Sequence, residues 1–212
     1  MKKLLFWMVL ICSVAVILTS CSKDEESTTA ASTSVTSTTA SGSITVGSET
    51  LSGTYVSACN TTQFAAAAGT QFFPSDVKSG KTVIVVTSDT TFSDEMLMYT
   101  DTSCSTPTSY TKNGNTSVTV GVASGSNYLV TYTSSTYKVQ ADTTVAETHL
   151  EAFLLAATGS AVDLTVGTEH STSGSGSSYK NVWSVTSTTF QQGEEDRSTQ
   201  PTVIDSMVMT KE

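Results

Sequence analysis

The chain has 212 residues with 10 basic and 19 acidic side chains, a formal net charge of −9, and no basic run beyond Lys2-Lys3. An acidic surface repels phosphate backbones and anionic headgroups, which excludes nucleic-acid binding. Serine and threonine number 74, so the chain divides into one folded domain of ordinary size and a stretch too poor in apolar side chains to fold.

Residues 1–20 read as a leader. Lys2 and Lys3 precede an apolar run, Leu4 to Leu18. It falls short of the roughly 20 residues of a spanning helix and suits a signal-peptide core. The run closes on Leu18-Thr19-Ser20-Cys21. This resembles the signal peptide and lipobox of a bacterial lipoprotein. The resemblance implies cleavage before Cys21 and its modification by a diacylglycerol and an acyl chain such as palmitate. Two or more chains anchor stably, at ~0.8 kcal/mol per buried CH2, where one holds only marginally. Ser22 replaces the Asp usual for inner-membrane retention, which points to the outer membrane. Lys23-Asp24-Glu25-Glu26 is similar to the export tag of surface-exposed lipoproteins in Bacteroidetes-type bacteria; a solvated charged cluster is the other reading.

Residues 21–50 form the next unit, a lipidated, Ser/Thr-rich tether. Ser22 to about Ser48 reads as disordered. A flexible chain of that length reaches roughly 30 Å. Such tracts can carry O-linked glycans. Residues 51–212 form one domain.

The domain is predicted to be mainly β. Leu51 to Cys59 reads as a strand, and Lys81 to Thr87 carries Val83-Ile84-Val85-Val86. Thr91 to Thr100 alternates Phe92, Asp94, Met96 and Met98. A tight turn is expected at Asn113-Gly114. Thr116 to Val122 and Tyr128 to Gln140 follow, then Ala161 to Val166, Asn181 to Phe190 and Thr202 to Thr210. Period-two alternation of β-branched and aromatic residues at regular spacing predicts a sandwich or barrel. One amphipathic helix is predicted over Val145 to Thr158. Thr144 and Glu147 there match a capping box, and Gly159 is placed to stop the helix. Gln63 to Phe73 is ambiguous between a helical turn and a loop, and Glu169 to Ser178 reads as a loop.

Cys12 leaves with the leader and Cys21 takes lipid. Cys59 and Cys104 remain, an even pair in an exported chain, and are expected to form a disulfide. Around them, Leu51-Ser52-Gly53-Thr54-Tyr55 resembles the opening strand of lipocalin-type barrels, with Tyr55 where Trp is usual. Gly53 to Cys59 and Tyr99-Thr100-Asp101-Thr102-Ser103-Cys104 are similar to the APCDD-type ectodomain, whose Tyr-x-Asp-x-x-Cys pattern pairs with the earlier cysteine. The resemblance covers about Leu51 to Gly114. It implies a single lipocalin-like, partly open antiparallel barrel with an apolar cavity for lipid-bearing ligands. In lipocalins a late basic residue crosses the first-strand aromatic, so Arg197 is expected either over Tyr55 or neutralising Glu194, Glu195 and Asp196.

No phosphate loop, HExxH motif, Gly-x-Ser-x-Gly elbow or EF-hand loop is present. Asp94-Glu95 and Glu194-Glu195-Asp196 read as solvated turn residues, and His149 as a half-buried helix residue. No metal, cofactor or catalytic residue is expected. Phe92, Met96, Met98, Tyr128, Tyr132 and Trp183 either line a cavity for an apolar small molecule or fill a closed core. The expected protein is a non-catalytic, lipid-anchored envelope lipoprotein that binds an apolar or lipid-like ligand. Its alternative is a structural or adhesive surface module on a flexible tether, with its protein partners unspecified.

Overall fold

The computed structural model describes residues 38–212; Cys21, the leader and most of the tether lie outside them. The described part is mainly β and contains a closed eight-stranded antiparallel barrel. In chain order the elements are β1 (Ile44–Val46), β2 (Glu49–Leu51), β3 (Thr54–Ser57), α1 (Thr61–Ala67), β4 (Ser79–Val86), β5 (Phe92–Tyr99) and β6 (Pro107–Ser124). Then come β7 (Asn127–Ala141), α2 (Thr144–Thr158), β8 (His170–Ser173), β9 (Ser178–Val185), β10 (Thr189–Gln192) and β11 (Met209–Lys211). The barrel runs β6-β5-β4-β3-β11-β10-β9-β7 and closes by pairing of β6 with β7. It is therefore closed rather than partly open.

β6 does not turn at Asn113-Gly114. It runs straight through and hairpins into β7 after Ser124. Gly114 instead serves close packing: a Cβ there would lie 2.2 Å from Thr136 Oγ1, and the β6–β7 register shifts just beyond it. Glu169 to Ser178 is also more ordered than a loop. β8 pairs with Thr136–Val139 of β7, while β9 pairs with Tyr128–Thr133 further along the same edge. Ala161 to Val166 carries no strand; of Thr202 to Thr210, Ile204 makes an isolated bridge to Gly193 and only Met209 and Thr210 lie in a strand.

Both ends of the barrel are filled. At one end the β1–β2 hairpin inserts Ile44, Val46 and Leu51 among Tyr55, Ile84, Val86, Phe92, Val130, Trp183 and Phe190. The folded unit therefore begins before residue 51, and residues 44–50 belong to it rather than to the tether. Three apolar side chains in a Ser/Thr-rich stretch suffice because the barrel supplies the opposing surface.

At the other end α1, the connection after it and α2 cover Met98, Val139 and Ala141. α1 resolves the ambiguity over Gln63 to Phe73, with Asn60 accepting from Gln63 N at its start. α2 buries Ala146, Leu150 and Leu154 and ends on Gly159 at φ 72°, as its spacing predicts. Its cap is Thr143, one residue ahead of the predicted Thr144, because Asp76 holds Thr143 Oγ1 at 3.0 Å. His149 donates from Nε2 to the Gln71 carbonyl and ties α2 to the connection after α1.

A third cluster lies on the outer face of β4–β6, where Val83, Val85, Leu97, Tyr99 and Tyr110 pack beside the Cys59–Cys104 disulfide. Asp101 organises the loop that presents Cys104. Its carboxylate accepts from Ser103 and Ser105, from both backbone and hydroxyl, and from Thr106 N. The turn holds Cys104 at φ 54°, in the left-handed region. That gives the Tyr-x-Asp-x-x-Cys pattern a physical role.

The Ser103 hydroxyl above all, then the Thr106 side chain and the backbone N–H groups of Ser103 and Thr106, hold the Asp101 carboxyl well below the usual carboxylate range. A depressed folded-state pKa adds stability above the unfolded value of ~3.9, and this is lost as pH falls below it. Urea midpoints measured from about pH 5 downward should fall less steeply for Asp101→Asn than for the unsubstituted protein. Parallel curves would remove this role for Asp101.

Candidate functional site

Strand register decides which side chains enter the barrel. Phe92, Asp94, Met96 and Met98 of β5 face inward, and their β6 partners are Asn115, Asn113, Thr111 and Ser109. Asn113 pairs in turn with Tyr137, and Thr111 with Val139. From β9 and β10 the inward residues are Tyr179, Asn181, Trp183, Phe190 and Gln192.

The lower interior is an aromatic floor. The Phe92 ring centroid lies 5.0 Å from that of Tyr132 and 5.3 Å from that of Trp183, edge to face, and Trp183 meets Phe190 at 5.3 Å. All four side chains are buried. Of the six residues proposed from sequence, Phe92, Tyr132 and Trp183 meet here, and Tyr128 packs at the edge of the same cluster. Met96 and Met98 belong to the helix-covered cluster above. The floor aromatics thus fill space against one another, as in the closed-core reading.

Between floor and helices lies a polar layer. Asp94, Asn113 and Tyr137 form one row across β5, β6 and β7. Gln192 Nε2 donates to Asp94 Oδ2 at 3.2 Å. The inward-facing Asp94, Met96, Asn113, Tyr137, Tyr179 and Gln192 are half-buried. Four polar atoms here are buried with no hydrogen-bond partner: Tyr137 Oη, Thr111 Oγ1, Gln192 Oε1 and Trp183 Nε1. Each such atom costs on the order of 1–3 kcal/mol, and structures rarely concentrate them.

Asn181 organises one wall. It is fully buried; its Nδ2 donates to Tyr132 Oη, while its Oδ1 accepts from Val182 N and Gly193 N. Gly193 begins the β10–β11 connection, which brings Glu195 to accept a hydrogen bond from Tyr132 Oη. Burial first, then the Glu195 and Asp94 charges, pushes the Tyr132 phenol well above its ordinary pKa. Burial alone pushes Tyr137 upward.

The acidic pairs are not simple turn residues. Asp94 and Glu95 sit mid-strand and point to opposite faces; Asp94 enters the barrel, and Glu95 is buried outside, accepting from Ser93 and Thr38 hydroxyls. Glu195 reaches inward, whereas Asp196 caps a turn by accepting from Ser198 N and Thr199 N.

Arg197 crosses neither Tyr55 nor the acidic run. Its guanidinium stands 5.1 Å from the Tyr179 ring centroid and donates to Tyr179 Oη at 2.8 Å. The cation near Tyr55 is Lys211, 5.9 Å from the ring centroid and paired with Tyr55 across β11 and β3. Arg197 lies in the β10–β11 connection, not on a strand beside Tyr55.

A concavity of about 360 Å³ lies beside β5, β6 and β7, lined by Phe92, Asn115, Lys112, Lys138 and several Ser and Thr side chains. Glu169 pairs with both lysines, at 3.0 and 2.6 Å, so its charge is locally balanced. Among the described residues, no group of three or more His, Cys, Asp or Glu could hold a metal ion. No protein-family model matches the chain, and no curated protein is significantly similar to it.

Proposed function

We propose that the protein is a lipid-anchored bacterial envelope lipoprotein, attached through Cys21, whose barrel binds a small ligand without transforming it. The anchor rests on Lys2-Lys3, the apolar run and Leu18-Thr19-Ser20-Cys21. Ser22 favours the outer membrane, and the Ser/Thr-rich segment before residue 44 favours a domain held clear of the bilayer. The single observation behind ligand binding is the polar layer, with its half-buried inward side chains and four partnerless buried atoms. A fold tolerates such groups where they serve recognition. The ligand sits above the aromatic floor, its apolar part against Met96 and its polar part toward Gln192 and Tyr137. Both interior phenols are shifted upward, away from the range in which a phenolate takes up protons, which favours binding over catalysis.

Intact-mass analysis of the protein extracted from its own membranes tests both halves. The expected denatured mass is that of residues 21–212 plus diacylglyceryl and acyl groups. Under native conditions a further small-molecule mass should ride with the barrel and leave on denaturation. A chain starting at Met1 overturns the anchor. A native mass equal to the denatured one overturns the carrier role and leaves a structural or adhesive module.

A further inference from the structure

We propose that the concavity beside β5, β6 and β7 binds a neutral sugar, held through adjacent hydroxyls by the Asn115 carboxamide. This goes beyond the interior reading, because Met96, Gln192 and Tyr137, assigned there to the ligand, do not line it. The concavity opens where the β5–β6 ladder stops. Phe92 and Asn115 form its last pair, and β6 continues alongside β7. The β6–β7 register shifts on either side of this point, between Gly114 and Asn115 and between Thr116 and Thr119. The volume of about 360 Å³ falls in the range of small-molecule sites.

Asn115 carries the assignment. The residue is 3% exposed, yet its carboxamide makes no hydrogen bond among the described residues. Folds rarely bury a polar side chain without partners. Neither of its polar atoms is sealed off, so the carboxamide opens on the space that the residue lines. A carboxamide presents N–H donors and an acceptor side by side. That suits two neighbouring hydroxyls of a sugar ring, each of which donates and accepts.

Serine and threonine number 74 of 212, so a hydroxyl-rich wall alone would mean little. Their hydrogen bonding narrows it. Ser93 donates to Glu95 and Ser135 to the Gly114 carbonyl, which leaves both oxygens able to accept. Thr136 faces Gly114 across the β6–β7 ladder, and its hydroxyl has no partner among the described residues. A Cβ at Gly114 would lie 2.2 Å from that hydroxyl, so glycine keeps the wall open there. Other ligand classes fit less well. No carboxylate lines the wall to hold a cation. Its two lysines both pair with Glu169, and Lys112 also stands opposite Glu95, which offsets them for an anion. Its one large apolar residue, Phe92, has its ring buried against Tyr132 and Trp183 and offers an apolar ligand little surface.

The full chain, isotope-labelled for NMR, is titrated with glucose, galactose, mannose and N-acetylglucosamine, each free and as its methyl glycoside. Cyclohexanol and inorganic phosphate are the controls. At least one sugar is expected to shift the Asn115 carboxamide and Thr136 amide signals saturably at millimolar concentration, leaving the Trp183 indole signal unmoved. Binding of glycosides as well as free sugars marks a site for residues of a glycan; binding of free sugars alone marks one for monosaccharides. Asn115→Asp keeps the shape and removes the N–H donors, and Thr136→Val removes a hydroxyl at an exposed position. Each should weaken the sugar by about fivefold, the worth of one hydrogen bond. Thr136→Val decides the matter should Asn115→Asp fold poorly. The sugar assignment falls if phosphate or cyclohexanol shifts the same signals as strongly, or if no sugar moves them at tens of millimolar. It falls equally if Thr136→Val leaves the affinity intact. Shifts confined to the Trp183 indole would put the sugar in the barrel interior and overturn this site while leaving the interior one standing.

Discussion

Replacing Cys59 and Cys104 together by serine is expected to lower the unfolding free energy by ~4 kcal/mol, the chain-entropy value for a closed loop of this size. The two residues are 45 apart in sequence, and the loop between them holds α1, β4 and β5. For a domain of this size, 1 kcal/mol moves Tm by about 2–4 °C, so a fall of roughly 10 °C is expected. The bridge joins the end of β3 to the β5–β6 connection, across the intervening strand β4. Cys104 is also the buried member, packed with Tyr99 and Leu97. Serine places a hydroxyl in that contact, so the measured loss should exceed that of reducing the unsubstituted protein. Urea unfolding with and without dithiothreitol separates the two contributions. A double variant within about 1 kcal/mol of the unsubstituted protein would show that the Asp101 turn already restrains the loop in the unfolded chain.

The strands with the plainest alternation were legible in sequence. β4 and β5 fall within two residues of their expected bounds, because Val83 to Val86 and Phe92 to Met98 mark both faces of strands buried on both sides. Strand pattern alone left sandwich and barrel open, since closure depends on β6 meeting β7, a pairing that no local pattern encodes; the lipocalin resemblance around Leu51 to Tyr55 pointed to the barrel. The misplaced turn at Asn113-Gly114 has a local cause. The pair has turn chemistry, but strong pairing on both sides, Gly114 with Ser93 and with Thr136, overrides it. β8 was missed because His170-Ser171-Thr172-Ser173 has no apolar face of its own; β7 imposes the extended form.

The candidate site was half legible. Asp94 already stood in the same alternation as Phe92 and Met96, which placed it inward, yet its neighbour Glu95 made the pair look like a charged turn. Glu195 could not be placed, because its position follows from Gly193 and Asn181, contacts that join residues 12 or more apart. The disulfide was legible because two cysteines remained once the leader was set aside. The aromatic residues chosen as cavity lining turned out to be mostly floor, since composition does not say whether rings face a void or one another.

Trp183 offers the sharpest separation of packing from recognition. Trp183→Ala removes a fully buried side chain that touches Phe92, Phe190 and Tyr132. The loss should be ~3–5 kcal/mol, as for large aromatic deletions in cores. Trp183→Phe keeps much of the volume and the edge-to-face contacts, each worth ~0.5–1.5 kcal/mol. It also removes Nε1, a donor that has no partner in the fold, and with it a penalty of about 1–3 kcal/mol. These terms oppose, so Trp183→Phe should cost less than about 2 kcal/mol, well below the alanine variant. If the indole N–H serves an acceptor on the ligand, the phenylalanine variant keeps its unliganded Tm but loses most of the ligand-induced rise. Equal losses for Trp183→Phe and Trp183→Ala in chemical unfolding would mean that the N–H is satisfied within the folded protein. The polar layer would then be a structural network, and the strongest reason to place a ligand above the aromatic floor would be gone.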